Sequence, residues 1–204
     1  MKGLLLISSG IDSPVAGYLM KKKGLELAGI HFSNQPFTDK KPEEMALRLL
    51  KKIGVNKCYI IKHGKNQIEN LRKCNHKYQC LLCRRMMFRV AEQIAFRDGF
   101  DFLVTGENLG QVASQTLDNL TVCDSVTKIK ILRPLLCNDK VETMKLARKI
   151  GTYEISIEPA VCCNVVPRHP STKARLEDVQ AEEKKLDIEA MVKAAVETAE
   201  LVIV

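Results

Sequence analysis

The stretch LLLISSGIDSPVAGYL, residues 4–19, decides the fold. An apolar run stops at Ser8, Ser9 and Gly10, then Asp12 and Ser13 open a helical pattern. A strand, a small-residue turn and a helix together make an anion site. The first N–H groups of the helix lack partners within it, and the helix dipole makes that end positive. Gly and Ser keep side chains out of the way, and Ser adds hydroxyl donors. The turn lacks the lysine of the Gly-Lys-Ser/Thr phosphate loop and does not follow the GxGxxG dinucleotide spacing. An ordinary turn capped by Asp12 or Ser13 would use the same residues.

Outward from this turn the pattern alternates. Apolar, β-branched runs of strand length lie at 3–8, 26–33, 57–63, 101–106 and 129–134. Helix-like segments lie at 13–24, 42–53, 81–98, 109–120 and 139–150. Such alternation predicts an α/β fold, a doubly wound, Rossmann-like parallel sheet with helices on both faces. Ligands bind outside the carboxyl ends of strands in these sheets, which puts residues 8–13, 31–33, 105–108 and 133–140 on one rim. The Pro-containing segment 159–179 reads as an ordered loop or arm on that rim. Residues 172–204 read as a helical tail packing along the flank of a catalytic domain at 1–171.

The 204 residues carry a net charge of +8 and eight cysteines. The charge is uneven: residues 173–204 hold 5 Lys/Arg against 8 Asp/Glu, and the remainder holds 27 against 16. A basic body with an acidic tail suits a polyanionic partner, nucleic acid first, although a solvated lysine-rich surface gives the same balance. With no apolar run of membrane-spanning length and no signal-peptide pattern, the expected location is the cytoplasm, without a membrane partner. Eight cysteines in such a chain point to free thiols, metal ligands or redox chemistry rather than structural disulfides.

The turn resembles the PP-loop, SGGxDS, of the ATP pyrophosphatases. Four further stretches, CLLCRRMMFRVAEQIA (80–95), TGENLGQVASQTLDNL (105–120), ILRPLLCNDKVETMKLARKIGTYEISIEP (131–159) and PSTKARLEDVQAEEKKLD (170–187), are similar to the catalytic domain of the tRNA 4-thiouridine synthetase family. That family is also named for thiamine-thiazole sulfur transfer. The resemblance implies adenylation of a carbonyl oxygen by Mg²⁺·ATP followed by sulfur transfer, most plausibly thiolation of a tRNA uridine. It implies ATP contacts at Leu6, Ile7, the loop Ser8, Ser9, Gly10, Ile11, Asp12 and Ser13, and at His31, Phe32, Arg84, Gly106 and Gln115. It makes Asp12, Lys140 and Cys163 catalytic. Lys140 follows Asp139 at a helix start, where a lysine opposes the dipole, so capping accounts for Asp139 and not for Lys140. A cation near the scissile α-phosphate would stabilise developing charge.

Two departures from the family stand out. Its second loop residue is usually Gly and here is Ser9, which is costly only where that position needs positive φ. The THUMP module that grips tRNA and the rhodanese domain that delivers sulfur are not matched, which implies a stand-alone catalytic domain, a separate RNA-gripping protein or domain, and a sulfide or persulfide donor.

The cysteines divide. Cys58, Cys123 and Cys137 sit in or beside apolar runs and read as small hydrophobes. Cys74 fits either class. Cys80 and Cys83 form CxxC at a helix start, where the dipole favours thiolate. Cys162 and Cys163 form a pair in the rim loop, of which counting from Lys140 selects Cys163 as the sulfur-handling residue. Members without rhodanese pair the CxxC with this cysteine to hold an iron–sulfur cluster, making Cys80, Cys83 and Cys163 the expected ligands. A zinc site and a redox pair between Cys163 and Cys80 or Cys83 remain open, as do adenylation of a small molecule and a catalytically idle nucleotide- or metal-binding subunit.

Overall fold

The computed structural model describes residues 1–161 and 163–204, so Cys162, the alternative to Cys163, lies outside the described residues. Five strands are parallel: β1 (Lys2–Leu6), β2 (Glu26–Ser33), β3 (Lys57–Lys62), β4 (Phe102–Val104) and β5 (Lys130–Leu132). β6 (Glu200–Ile203) adds to the edge, antiparallel to β3, giving the order β5-β4-β1-β2-β3-β6. Nine helices accompany them among the described residues: α1 (Asp12–Lys22), α2 (Lys41–Lys52), α3 (Gly64–Lys73), α4 (Gln79–Asp98), α5 (Leu117–Asp124), α6 (Lys140–Lys149), α7 (Tyr153–Ser156), α8 (Leu176–Glu183) and α9 (Ile188–Glu197). Among the described residues no helix is long and apolar enough to cross a membrane.

The unbroken apolar run of β1 is a consequence of two covered faces. Leu4 and Leu6 enter a core built with α4, α5, α8 and α9, including Met86, Phe88, Ile94, Val122 and Val179. Leu5 and Ile7 enter the opposite core, with Val15 of α1, Leu49 of α2 and Ala147 of α6. Because β1 is central, its carboxyl end opens in mid-sheet between the ends of β2 and β4, where the order reverses and ligands bind.

Three elements differ from the sequence expectation. α3 was not foreseen because its inward residues are polar: Asn66, Gln67 and Asn70 are buried, so no apolar period marks it. The helix expected at 109–120 begins only at Leu117, where the Thr116 side chain accepts from the Asn119 N–H at 3.2 Å. Gly110, at φ +74°, belongs to the preceding loop. Finally, residues 200–203 leave the helical pattern of the tail and form β6.

Candidate functional site

The turn between β1 and α1 is braced by its own serines. The Ser8 N–H donates to Ser13 Oγ at 2.9 Å, the two hydroxyls lie 3.1 Å apart, and the Gly10 N–H donates to Ser8 Oγ at 3.3 Å. Neither Asp12 nor Ser13 caps α1; among the described residues the helix has no side-chain cap at all, which leaves its first N–H groups facing the rim. No non-glycine residue has positive φ among the described residues, so Ser9 sits in the loop without left-handed strain.

Two adjoining cavities open on either side of this loop. One, of about 180 Å³, is lined by Ser8, Asp12, Ser13, Arg84, Gly106 and Gln115 among others. The second, of about 300 Å³, is lined by Ser8–Gly10, His31, Phe32, Asn34, Glu43 and Cys163. A larger groove of about 1030 Å³ between α4, α8 and α9 lies elsewhere and contains none of these residues. Chemistry rather than size therefore selects the smaller pair.

Lys140, the first residue of α6, reaches across to the loop. Its Nζ lies 2.7 and 2.8 Å from the two Asp12 carboxylate oxygens and 3.2 Å from Gln111 Oε1. Asp139 is the cap of α6, accepting from the Val141 N–H at 2.6 Å, so the two neighbours have separate roles. Gly106 is required by close approach: a Cβ there would lie 2.6 Å from Ser13 N and 2.7 Å from Asp12 C. What passes it at that distance is the loop backbone itself. Gly106→Ala is expected to displace the loop and cost about 1–3 kcal/mol, an overpacking penalty, measurable by denaturant unfolding.

His31 is a brace rather than a polar probe. Its Nδ1–H donates to the Ile7 carbonyl at 3.0 Å, and burial lowers its pKa, partly opposed by that carbonyl and by Glu43. What the ends of β1 and β2 can offer a base edge is backbone at Leu6–Ile7 and His31–Phe32. Gln115 Oε1 is a buried acceptor without a partner among the described residues, on the wall of the smaller cavity.

Sequence reasoning missed Glu107. It is 2 % exposed and takes bonds from Arg84, Arg133 and Thr105. Burial pushes its carboxyl up, but the two arginines prevail and hold it below the usual range. Its only sequence signal is an acid two residues after a buried Thr at a strand end.

Cys80 and Cys83 lie in the first turns of α4, where burial pushes the Cys80 thiol up and Cys83 to about 12, with Arg84 opposing both. Cys83 Sγ receives Gln67 Nε2–H at 2.9 Å and faces His63 Nε2 at 3.3 Å. Cys163 lies near enough to raise both, and it lines the larger cavity beside the loop. Among the described residues no three His, Cys, Asp or Glu side chains stand together to hold a metal ion. Cys80 and Cys83 both lie near Cys163, and an iron–sulfur cluster on these three thiols stays a proposal. Magnesium is a different case, since it is usually held by one or two carboxylates plus substrate phosphates. Asp12 offers the one carboxylate at the loop.

His63 is fully buried and burial lowers its pKa to about 4. The unfolded chain binds a proton near pH 6.5 that the folded one refuses, so stability falls as pH drops from 6.5 towards 4. On the order of 2 kcal/mol is lost between pH 7 and 5 from this group alone. The pH dependence of thermal unfolding checks this, and His63→Gln flattens it.

A model of the thiamine biosynthesis protein ThiI matches residues 1–188. The chain belongs to the ThiI family. Among curated ThiI relatives, "Probable tRNA sulfurtransferase" of Finegoldia magna is 42 % identical over 98 % of this chain and 53 % of its own length. That of Halothermothrix orenii is 44 % identical over 98 % of this chain and 52 % of its own length. The chain thus spans about half the length of these relatives. A solved 4-thiouridine synthetase–RNA complex with bound ATP superimposes with a TM-score of 0.94 at 36 % identity, over all of this chain and 55 % of the other. These ThiI likenesses agree with the fold expected from residues 4–19.

Proposed function

We propose that this chain is the ATP-using, sulfur-transferring part of a tRNA thiolation system. The observation that carries the reading is an uncapped Ser-Gly anion loop with Cys163 lining the cavity on one side and Asp12, in contact with Lys140, lining the cavity on the other. The ATP and RNA of the superimposed synthetase support it.

In this reading Leu6, Ile7, His31 and Phe32 present backbone to the adenine, and the amides and hydroxyls of Ser8–Ser13 receive the pyrophosphate. Magnesium, held by Asp12 and the phosphates, would screen their charge. Lys140 moves from Asp12 to the α-phosphate. Uracil O4 attacks the α-phosphorus, the bond to the bridging oxygen breaks, and pyrophosphate leaves with that electron pair. Bisulfide adds to C4; the C–O bond breaks, AMP leaves, and proton loss gives C=S. Cys163 handles the incoming sulfur.

RNA grip comes from a separate domain or protein. The +8 chain contributes phosphate contacts but has no Trp and few aromatics for stacking. Its own RNA affinity therefore falls steeply with salt. Deleting the gene and surveying thionucleosides in total tRNA by mass spectrometry tests the reading. Loss of 4-thiouridine supports it, and an unchanged profile contradicts it.

A further inference from the structure

We propose that Glu107 is a positioning residue that aims Arg84 at the phosphates of bound ATP, an inference that rests on the ATP reading above. Arg84 rises from α4 into the smaller cavity and is the one cation among the described residues lining it. A lone arginine there would sample many rotamers, and fixing it on binding would cost affinity. Glu107 removes that freedom beforehand: Arg84 Nη1 donates to its Oε1 at 2.5 Å. The other oxygen is fixed from behind, accepting Arg133 Nε–H at 2.7 Å and the Thr105 hydroxyl at 2.9 Å. Arg133 is in turn held by both oxygens of Asp124.

The exposures divide the roles. Both residues line the cavity, but the Glu107 side chain is 3 % exposed and that of Arg84 is 23 % exposed, so the guanidinium is the group open to a ligand and the acid lies largely behind it. Glu107 shares its charge between two arginines. Arg84 therefore keeps positive character and further N–H donors for an anion, in a forked geometry that suits phosphate oxygens. Preorganised charge of this kind needs no rearrangement when the phosphates arrive.

The test uses this chain with ATP and with adenosine, each displacing a fluorescent ATP analogue in the presence of Mg²⁺. Glu107→Gln keeps the shape but cannot accept from both arginines. It is expected to weaken ATP about 10- to 100-fold, as for a lost hydrogen bond to a charged group, and to leave adenosine unchanged. Arg84→Gln, which leaves the Glu107–Arg133 pair intact, is expected to lose as much, and the double variant no more than the worse single one. Thr105→Val removes one brace only and serves if Glu107→Gln does not fold; about a 2- to 10-fold loss, again for ATP alone, is expected. Unchanged ATP affinity, or parallel loss of ATP and adenosine, overturns the proposal. Wild-type chain that binds neither nucleotide overturns the ATP reading itself, a different result from loss of phosphate selectivity.

Discussion

Lys140→Ala lowers tRNA-dependent AMP formation by about 10²–10³-fold, the cost of removing one group that stabilises charge developing in a transition state. Asp12→Ala is expected to have an effect at least as large, because it takes away the loop carboxylate that would hold magnesium. Neither substitution unfolds the protein. The Asp12 and Lys140 side chains are 25 % and 42 % exposed, and an ion pair at that exposure contributes at most about 1 kcal/mol. Lys140→Arg restores charge but not the compact ammonium, so its rate falls between wild type and Lys140→Ala. Steady-state AMP release with a parallel thermal melt reads both quantities. A Lys140→Ala enzyme of wild-type rate would show that the Lys140–Asp12 contact is only a surface bridge.

Cys163→Ser separates the two half-reactions. Thiolated product is expected to disappear while tRNA-dependent AMP formation continues, because Cys163 lines the cavity beside the loop and is not one of the groups read as holding the phosphates. Cys83→Ala behaves differently. It strips the acceptor from Gln67 and His63, leaving buried donors unpaired at a cost of about 1–3 kcal/mol. Its loss is one of stability, visible in the melt before it is visible in turnover. Mass spectrometry of the tRNA alongside AMP chromatography distinguishes the cases, and a Cys163→Ser protein that thiolates at full rate would remove this cysteine from the chemistry.

The central strand, its turn and α1 were legible because their signals are local: apolar run, small residues, helical period. Lys140 was expected at the site from the resemblance, but its contact with Asp12, 128 residues away, was not legible. What sequence could not show is assembled across distance. Glu107 meets Arg84 and Arg133 from 23 and 26 residues away, and nothing in TGEN announces two arginines. α3 was silent because it buries amides instead of apolar groups. A helix start favours thiolate only where water or charge can support it, and burial in the first turns of α4 pushes both CxxC thiols up. His31 was expected only as an ATP contact, and the engagement of its ring with the Ile7 carbonyl was not legible.

The account stands on where ATP is cut. Incubating the protein with tRNA, sulfide, Mg²⁺ and ATP labelled at the α- and γ-phosphates, and separating the products, answers this directly. An anion loop that holds pyrophosphate while Lys140 faces the α-phosphate predicts labelled AMP and labelled pyrophosphate in equal amounts, matched by thiolated uridine. Labelled ADP and inorganic phosphate would contradict it.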